Sequence, residues 1–306
     1  MNRPRASIDV GSNSLLLLVV GPDGETLHDE VRVVGLGTGL GDGGRFRPDR
    51  KQAAQQVFRE FALTARSLGV PPERVLAVAT SAARRAEDAP SLFGIVERET
   101  GLRVRIIQGE EEARLTWAGA FAGLPDPTGN RAVVDLGGGS TEIATGDSRQ
   151  LSSRISLELG SVRLTESFLE GGVSPANPSQ LQHLDEQVTR ALAPLDSLPA
   201  PDLLVAVAGT ATTLCAMDAG LDHWNREKVH GRPLSIDALW TWRARLARAD
   251  LAERRLLASV SPERAPFLVA GATVLARICS RLGLNELVAS DGGVRHGLLA
   301  RHSANS

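Results

Sequence analysis

The sequence predicts an α/β fold in two halves, each built around a mixed sheet. Short apolar runs that read as strands alternate with longer stretches that read as helices. The pattern Asp-x-Gly-x-x-Ser occurs twice, as "DVGSNS" at Asp9 and "DLGGGS" at Asp135, each time between two apolar strands. A chain of 306 residues also has the length for two domains, at roughly 100–200 residues each.

In chain order, Arg5–Val10 reads as a strand, "GSNS" as a turn, Leu15–Val20 as a second strand, and Glu25–Val34 as a third after the turn "GPDG". "LGTGLGDGG" (36–44) is a loop. A helix follows from about Pro48 to Leu68. "RVLAVAT" (Arg74–Thr80) and "VRII" (Val104–Ile107) are strands, and "GEEEARLTWAGAFAG" is a helix whose acidic first turn suits the positive end of the macrodipole. "GLPDPTGN" (123–130) reads as a linker. The pattern then restarts: Arg131–Val134, the turn "DLGGGS", "TEIAT", the turn "GDSR", and a strand at 150–158. Helices are predicted near Asn177–Leu195, over "TATTLCAMDAG", and near Ile236–Arg248, Arg264–Leu282 and Gly293–Arg301, with a strand at Asp202–Gly209. The hairpins make each sheet mixed rather than purely parallel.

Composition bounds the function. A hydrophobic fraction of 42% and a charged fraction of 23% are those of a globular protein, and a net charge of -2 gives no sign of a nucleic-acid or membrane partner. Cys215 and Cys279 have no metal spacing and no disulfide framework, which fits a reducing cytoplasm. The N-terminal "RPRASIDVGSNSLLLLVV" has too short an apolar run, and no cleavage site, for a signal peptide. No stretch approaches the roughly 20 apolar residues of a membrane span.

The chemistry lies in the glycine turns. Glycine allows successive backbone N–H groups to converge on an anion, and serine hydroxyls add donors. Gly11, Ser12, Asn13 and Ser14 could cradle one phosphate group, and Gly137, Gly138, Gly139, Ser140 and Thr141 another, with acids and hydroxyls at matching places. Asp9 and Asp135, at the heads of these loops, could hold Mg²⁺ or orient an attacking water. Two such loops across a cleft would clamp a phosphoryl chain. "VAGTATTL" (207–214) is a third turn of this type, with Gly209 and Thr210 opening a helix, where anions also bind. One of Glu110, Glu111 and Glu112 is a candidate general base, and one of Arg84 and Arg85 a phosphate ligand. His230 in "KVHG" is open between structural and ligand-facing roles. Gly39, Gly41 and Gly44 match G-x-G-x-x-G, but no helix opens there, which argues against a dinucleotide site.

Taken in order, "ASIDVGSNS", "ATSAARRAED", "IIQGEEEARL", "VVDLGGGSTEI", "VAGTATTL", "KVHG" and "SDGGVRHG" resemble the exopolyphosphatase / guanosine pentaphosphate phosphohydrolase family across nearly the whole chain. The resemblance implies two ribonuclease-H-like domains of the actin, heat-shock-protein and sugar-kinase superfamily, flanking a cleft, each with a mixed five-stranded sheet. Residues 1–123 and 124–306 would be the domains, the final helix from about 293 packing back on the first. It implies removal of the terminal phosphate of inorganic polyphosphate, or hydrolysis of pppGpp to ppGpp, with Mg²⁺ or Mn²⁺ as cofactor. By the family's motifs Glu112 is the base, with Glu111 the fallback. Asp9, Asp135 and Glu142 hold metal and water, Arg84 binds phosphate with the two loops, and Arg264 in "SPERA" lies near the cleft. Two departures stand out: His296 where many relatives have Glu, and Gly35 where Arg is frequent. The resemblance is to the short form of the family, in which the C-terminal helical region of long members is not expected. The expected partners are inorganic polyphosphate or a guanosine polyphosphate, with a homodimer open. A nucleotide sensor without turnover and a small-molecule kinase are the alternatives on this scaffold.

Overall fold

The computed structural model describes residues 3–40, 44–124, 129–147 and 151–304. Parts of the loop expected at 36–44, of the linker at 123–130, and of the turn and strand start at 146–150 lie outside the described residues. The chain divides into two compact units, Met1–Gly119 with Val294–Ser306, and Ala120–Gly293.

In the first unit, β1 (Arg5–Val10), β2 (Ser14–Val20) and β3 (Thr26–Val33) form an antiparallel meander. Helix α1 (Pro48–Ser67) has Pro and Asp49 in its first turn and Arg66 in its last, each where the orphan N–H groups and the macrodipole favour it. It buries Ala54, Val57, Phe58, Phe61 and Ala65 along one face. Strand β4 (Val75–Ala79) lies parallel to β1 and leads into α2 (Ser81–Arg85) and α3 (Ala89–Thr100). Strand β5 (Val104–Ile106) is parallel to β4, and α4 (Gly109–Ala120) follows. No sequence signal marked α3, because Pro90 and Gly94 resemble turn punctuation. Pro is tolerated in a first turn, and burial of Leu92, Phe93 and Val96 offsets the cost of Gly94. Phe93 meets Phe58 of α1 edge to face, with centroids 6.4 Å apart.

The second unit repeats the scheme. Strands β6 (Arg131–Leu136), β7 (Thr141–Gly146) and β8 (Leu151–Leu157) form the meander. After α5 (Ser161–Phe168) and α6 (Pro178–Ala191), β9 (Leu203–Val207) lies parallel to β6. Then come α7 (Ala208–Asp218), α8 (Arg226–Val229), β10 (Pro233–Ser235), α9 (Ile236–Arg248), α10 (Leu251–Arg255) and α11 (Leu268–Leu282). Strand β11 (Glu286–Ala289) is parallel to β9.

The sheet orders are β3-β2-β1-β4-β5 and β10-β11-β9-β6-β7-β8. Read from β8, the second sheet matches the first strand for strand. The expected five strands become six there, because β10 pairs antiparallel with the far side of β11. Asp9 pairs with Leu16 and Val78, and Asp135 with Glu142 and Val207, so the two aspartates occupy the same point of equivalent sheets.

The last helix, α12 (Val294–Ala304), belongs to the first unit and lies on β1 and β2. The Ser7 hydroxyl donates to the Arg295 carbonyl at 2.8 Å. A Cβ at Gly297 would stand 2.0 Å from the Leu115 carbonyl oxygen of α4, so this close approach of helix backbones requires glycine. Contrary to the expectation that no stretch approaches a membrane span, Ala265–Leu282 in the second unit is, among the described residues, one stretch long and apolar enough by composition to cross a membrane. It is 72% buried and forms the core beneath the sheet.

Arg254 is a buried tie in this unit, 1% exposed. Its guanidinium donates to the carbonyls of Leu246, Gly172, Ser174 and Ala249, satisfying the end of α9 and the turn before α6. Arg254→Met should therefore lower unfolding stability by about 3–5 kcal/mol, since it leaves buried carbonyls unpaired. Urea denaturation checks this, and a loss below about 1 kcal/mol would contradict it.

Candidate active site

The two glycine loops are built alike. Gly11 N–H donates to the Ser14 carbonyl and Gly137 N–H to the Ser140 carbonyl, both at 3.0 Å. In each unit the segment after the third strand then takes up the loop's carbonyls. The Ser12 carbonyl accepts from Gly37 N–H at 2.7 Å, and the Asn13 carbonyl from Val34 and Gly35 at 2.9 and 2.7 Å. The Gly137 carbonyl accepts from Ser161 N–H at 3.0 Å, and the Gly138 carbonyl from Val162 and Arg163 at 3.0 and 3.1 Å. The N–H groups of Ser12, Asn13, Gly138 and Gly139 donate to no partner among the described residues. Each loop thus presents donors on the edge opposite its committed carbonyls, which is what an anion needs.

The supporting segment was not recognised from sequence, although it carries a signal: Leu36-Gly37-Thr38 and Leu159-Gly160-Ser161 repeat Leu-Gly-hydroxyl at the same place. A Cβ at Gly160 would stand 2.2 Å from the Gly138 carbonyl oxygen. Gly35 adopts φ +65, so an Arg on this backbone would be strained.

In the first unit Glu112 interacts with both Asp9 and Arg84. Asp9 lies one residue before the end of β1, and its Oδ1 is buried without a hydrogen-bond partner. Burial, then the neighbouring Glu112 carboxylate, push its pKa up to about 7, with Arg295 opposing. Glu112 Oε2 accepts from Arg84 Nη1 at 2.6 Å, and the same Nη1 donates to the Ile107 carbonyl at 2.9 Å. The other two glutamates of α4 are engaged elsewhere. Glu111 takes a bidentate pair from Arg105 of β5 at 2.7 and 2.8 Å, which raises the Arg105 pKa, and Glu110 pairs with Arg114 one turn on. Arg85 is exposed.

In the second unit Asp135 and Glu142 are cross-strand partners, which puts them on one face of the sheet. Glu142 Oε1 accepts from the Ser156 hydroxyl of β8 at 2.9 Å. The corresponding row of the first unit is Asp9, Leu16 and Val31. The expected match of acids therefore holds for the two aspartates, and Glu142 has an apolar counterpart. Thr141 is buried, its hydroxyl donating to the Leu159 carbonyl, so it serves the loop's packing. At the start of α7, Ala208 sits at φ +70, a strained value for a residue with a Cβ. The Arg264 guanidinium lies over Gly209, where a Cβ would stand 2.5 Å from Arg264 Cζ. Burial pulls the Arg264 pKa down, with Asp291 and Glu263 opposing. Thr210 is buried against Gly271 of α11. His230 is structural. Its Nδ1 accepts from Asp291 N–H at 3.2 Å, so Nε2 carries the proton and donates to the Ala122 carbonyl at 3.0 Å. Burial, helped by Arg226, lowers its pKa and keeps it neutral.

Asp9 suits a hard divalent cation. Such ions take carboxylate oxygens, and a buried carboxylate oxygen without a donor is costly. In the other unit Asp135 and Glu142 offer oxygen ligands on one face, with Glu142 already holding Ser156.

The raised pKa has a stability consequence. Between about pH 4 and pH 7 the folded state holds a proton on Asp9 that the unfolded state has released, so stability falls as pH rises through this window. At about 1.4 kcal/mol per pKa unit, the loss reaches up to about 4 kcal/mol. With divalent cations chelated, Asp9→Asn should gain thermal stability over the wild type at pH 8 and show little gain at pH 4.5. An equal shift at both pH values would contradict this.

Comparison with known proteins agrees with this architecture. Residues 20–305 match the family model of the Ppx/GppA phosphatase family. The chain is 32% identical to Exopolyphosphatase 2 of Mycobacterium tuberculosis, covering 96% of each chain. It is 28% identical to Exopolyphosphatase 1 of Mycobacterium bovis, covering 96% of this chain and 86% of that one. It superposes on the crystal structure of the Aquifex aeolicus Ppx/GppA family member with a TM-score of 0.85 at 32% identity, over 99% of this chain and 98% of the other. The paired sheets are thus the two ribonuclease-H-like domains of that fold, and the chain belongs to the Ppx/GppA phosphatase family.

Proposed function

We propose that this chain hydrolyses the terminal phosphoanhydride of inorganic polyphosphate, with Mg²⁺ or Mn²⁺ as cofactor, and that pppGpp presents the same linkage to the same groups. The observation that carries the reading is the grouping, in one unit, of an orphaned carboxylate, Asp9, with the Glu112–Arg84 pair. Family membership and the names of the relatives support it.

In this reading the Ser12 and Asn13 N–H groups and Arg84 bind oxygens of the terminal phosphoryl group. The loop at Gly138–Gly139 offers the same kind of donors to phosphate oxygens. Water attacks the terminal phosphorus, and Glu112 accepts its proton. The bond from phosphorus to the bridging oxygen breaks, and its electron pair leaves with the shortened chain. A divalent cation would offset the charge of the phosphates, and the carboxylates that would hold such an ion are Asp9 in the first unit and Asp135 with Glu142 in the second. Glu112 is preferred to Glu111 as base, because Glu111 is held on both oxygens by Arg105. We place the activity in the cytoplasm: Cys215 and Cys279 are buried free thiols, with burial pushing their pKa up to about 11 and about 12.

Glu112→Gln should lower kcat for phosphate release from tripolyphosphate by about 10²–10⁴, with KM within about threefold. Near-normal turnover would remove Glu112 from the role. Parallel assays on long polyphosphate, tripolyphosphate and pppGpp define the substrate. Tight nucleotide binding with no phosphate release from any of them would favour a sensor instead.

A further inference from the structure

We infer that Arg84 positions the general base as well as binding phosphate, its guanidinium acting as a rigid bridge from Glu112 to the phosphoryl group. The inference rests on the phosphohydrolase reading above and adds a second role to one of its residues.

The division of labour follows from which nitrogen does what. Nη1 serves the protein: it donates to Glu112 Oε2 at 2.6 Å and to the Ile107 carbonyl at 2.9 Å. Nε and Nη2 donate to no partner among the described residues. A guanidinium presents Nε and Nη2 as a parallel pair of donors, the edge that takes two oxygens of one phosphate. Arg84 therefore has its bidentate edge available while its remaining nitrogen is fixed on the base.

The two anchors of Nη1 come from different elements, the end of β5 and the first turn of α4, and Arg84 itself ends the short turn after β4. The Ile107 carbonyl is a backbone group whose own N–H is tied to the Ala79 carbonyl of β4 at 3.0 Å, so this anchor is set by the sheet. About a quarter of the Arg84 side-chain surface and a fifth of that of Glu112 are exposed, at 26% and 21%. The Arg84 side chain is thus less exposed than that of Arg105 in the Arg105–Glu111 pair, at 58%, and is tied to two neighbouring elements. Planarity fixes the angle between the Nη1 bond and the free edge. A phosphoryl group gripped by that edge takes a set position relative to the Glu112 carboxylate, the geometry a base needs to reach an attacking water. A lysine keeps the charge yet cannot reproduce the fork.

The test separates positioning from simple phosphate binding. Arg84→Lys, Glu112→Gln and the double variant are assayed on tripolyphosphate with Mg²⁺, beside Arg84→Ala with and without added guanidinium. If Arg84 positions the base, Arg84→Lys lowers kcat at least thirtyfold with KM within about fivefold. The double variant is then no slower than Glu112→Gln, and guanidinium raises kcat of Arg84→Ala at least tenfold. If Arg84 only binds phosphate, Arg84→Lys raises KM with kcat little changed, and its effect multiplies with that of Glu112→Gln. Either finding overturns the bridge while leaving the hydrolase reading intact. A wild-type chain that releases no phosphate overturns both.

Discussion

The architecture depends on where the carbonyl groups of two glycine loops go. A tight turn at the end of a strand exposes donors and acceptors together, and an anion is repelled by the acceptors. Here two carbonyls of each loop are taken up inside its own unit by the segment that follows the third strand. The segment at Val34–Gly37 pairs with the carbonyls of Ser12 and Asn13, and the start of α5 pairs with those of Gly137 and Gly138. In the second unit the pairing does double duty, because Ser161, Val162 and Arg163 are N–H groups of a helix start that need acceptors anyway. The N–H groups left to a ligand are those of Ser12 and Asn13 in one loop and of Gly138 and Gly139 in the other. The glycines follow from this constraint: the supporting segment must approach the loop backbone more closely than a Cβ at Gly160 allows.

Charge supplies what the loops lack. The first unit places Asp9 where burial and Glu112 both disfavour its ionised form, an arrangement that weakens the folded state at neutral pH in the absence of a positive ligand. Active sites commonly hold this kind of cost. Arg295 opposes it, while Arg84 pairs with Glu112 and is fixed in turn by the Ile107 carbonyl. In the second unit the row Asp135, Glu142 and Ser156 is polar where the first has Asp9, Leu16 and Val31. A duplicated backbone thus carries two different sets of side chains.

Much of this was legible in the sequence. Period and turn residues located the strands of both meanders, and the repeated Asp-x-Gly-x-x-Ser located the loops, because a backbone that must turn tightly leaves glycine behind. Helix α9 begins and ends where its pattern does, at Ile236 and Arg248. What escaped were elements whose stability comes from distant neighbours. Helix α3 has Pro and Gly in its own sequence and is held by α1. Strands β10 and β11 are three and four residues long and exist through pairing. In the site, spacing left the three glutamates of α4 and the two arginines of α2 open and the family resemblance implied Glu112 and Arg84, but neither encodes a hydrogen bond between residues twenty-eight apart. Nor did either reveal that Glu111 is occupied by Arg105, or that His230 spends both ring nitrogens on backbone groups.

The central claim is that the loop N–H groups, freed by internal pairing of their carbonyls, receive phosphoryl oxygens. Residue-resolved amide hydrogen exchange by NMR, with and without tripolyphosphate and Mg²⁺ and with Glu112→Gln to prevent turnover, tests it most directly. The account predicts slowed exchange and shifted resonances at Ser12, Asn13, Gly138 and Gly139, with the surface turn at Pro22–Gly24 unchanged. Ligand binding that leaves those four amides unaltered would contradict it.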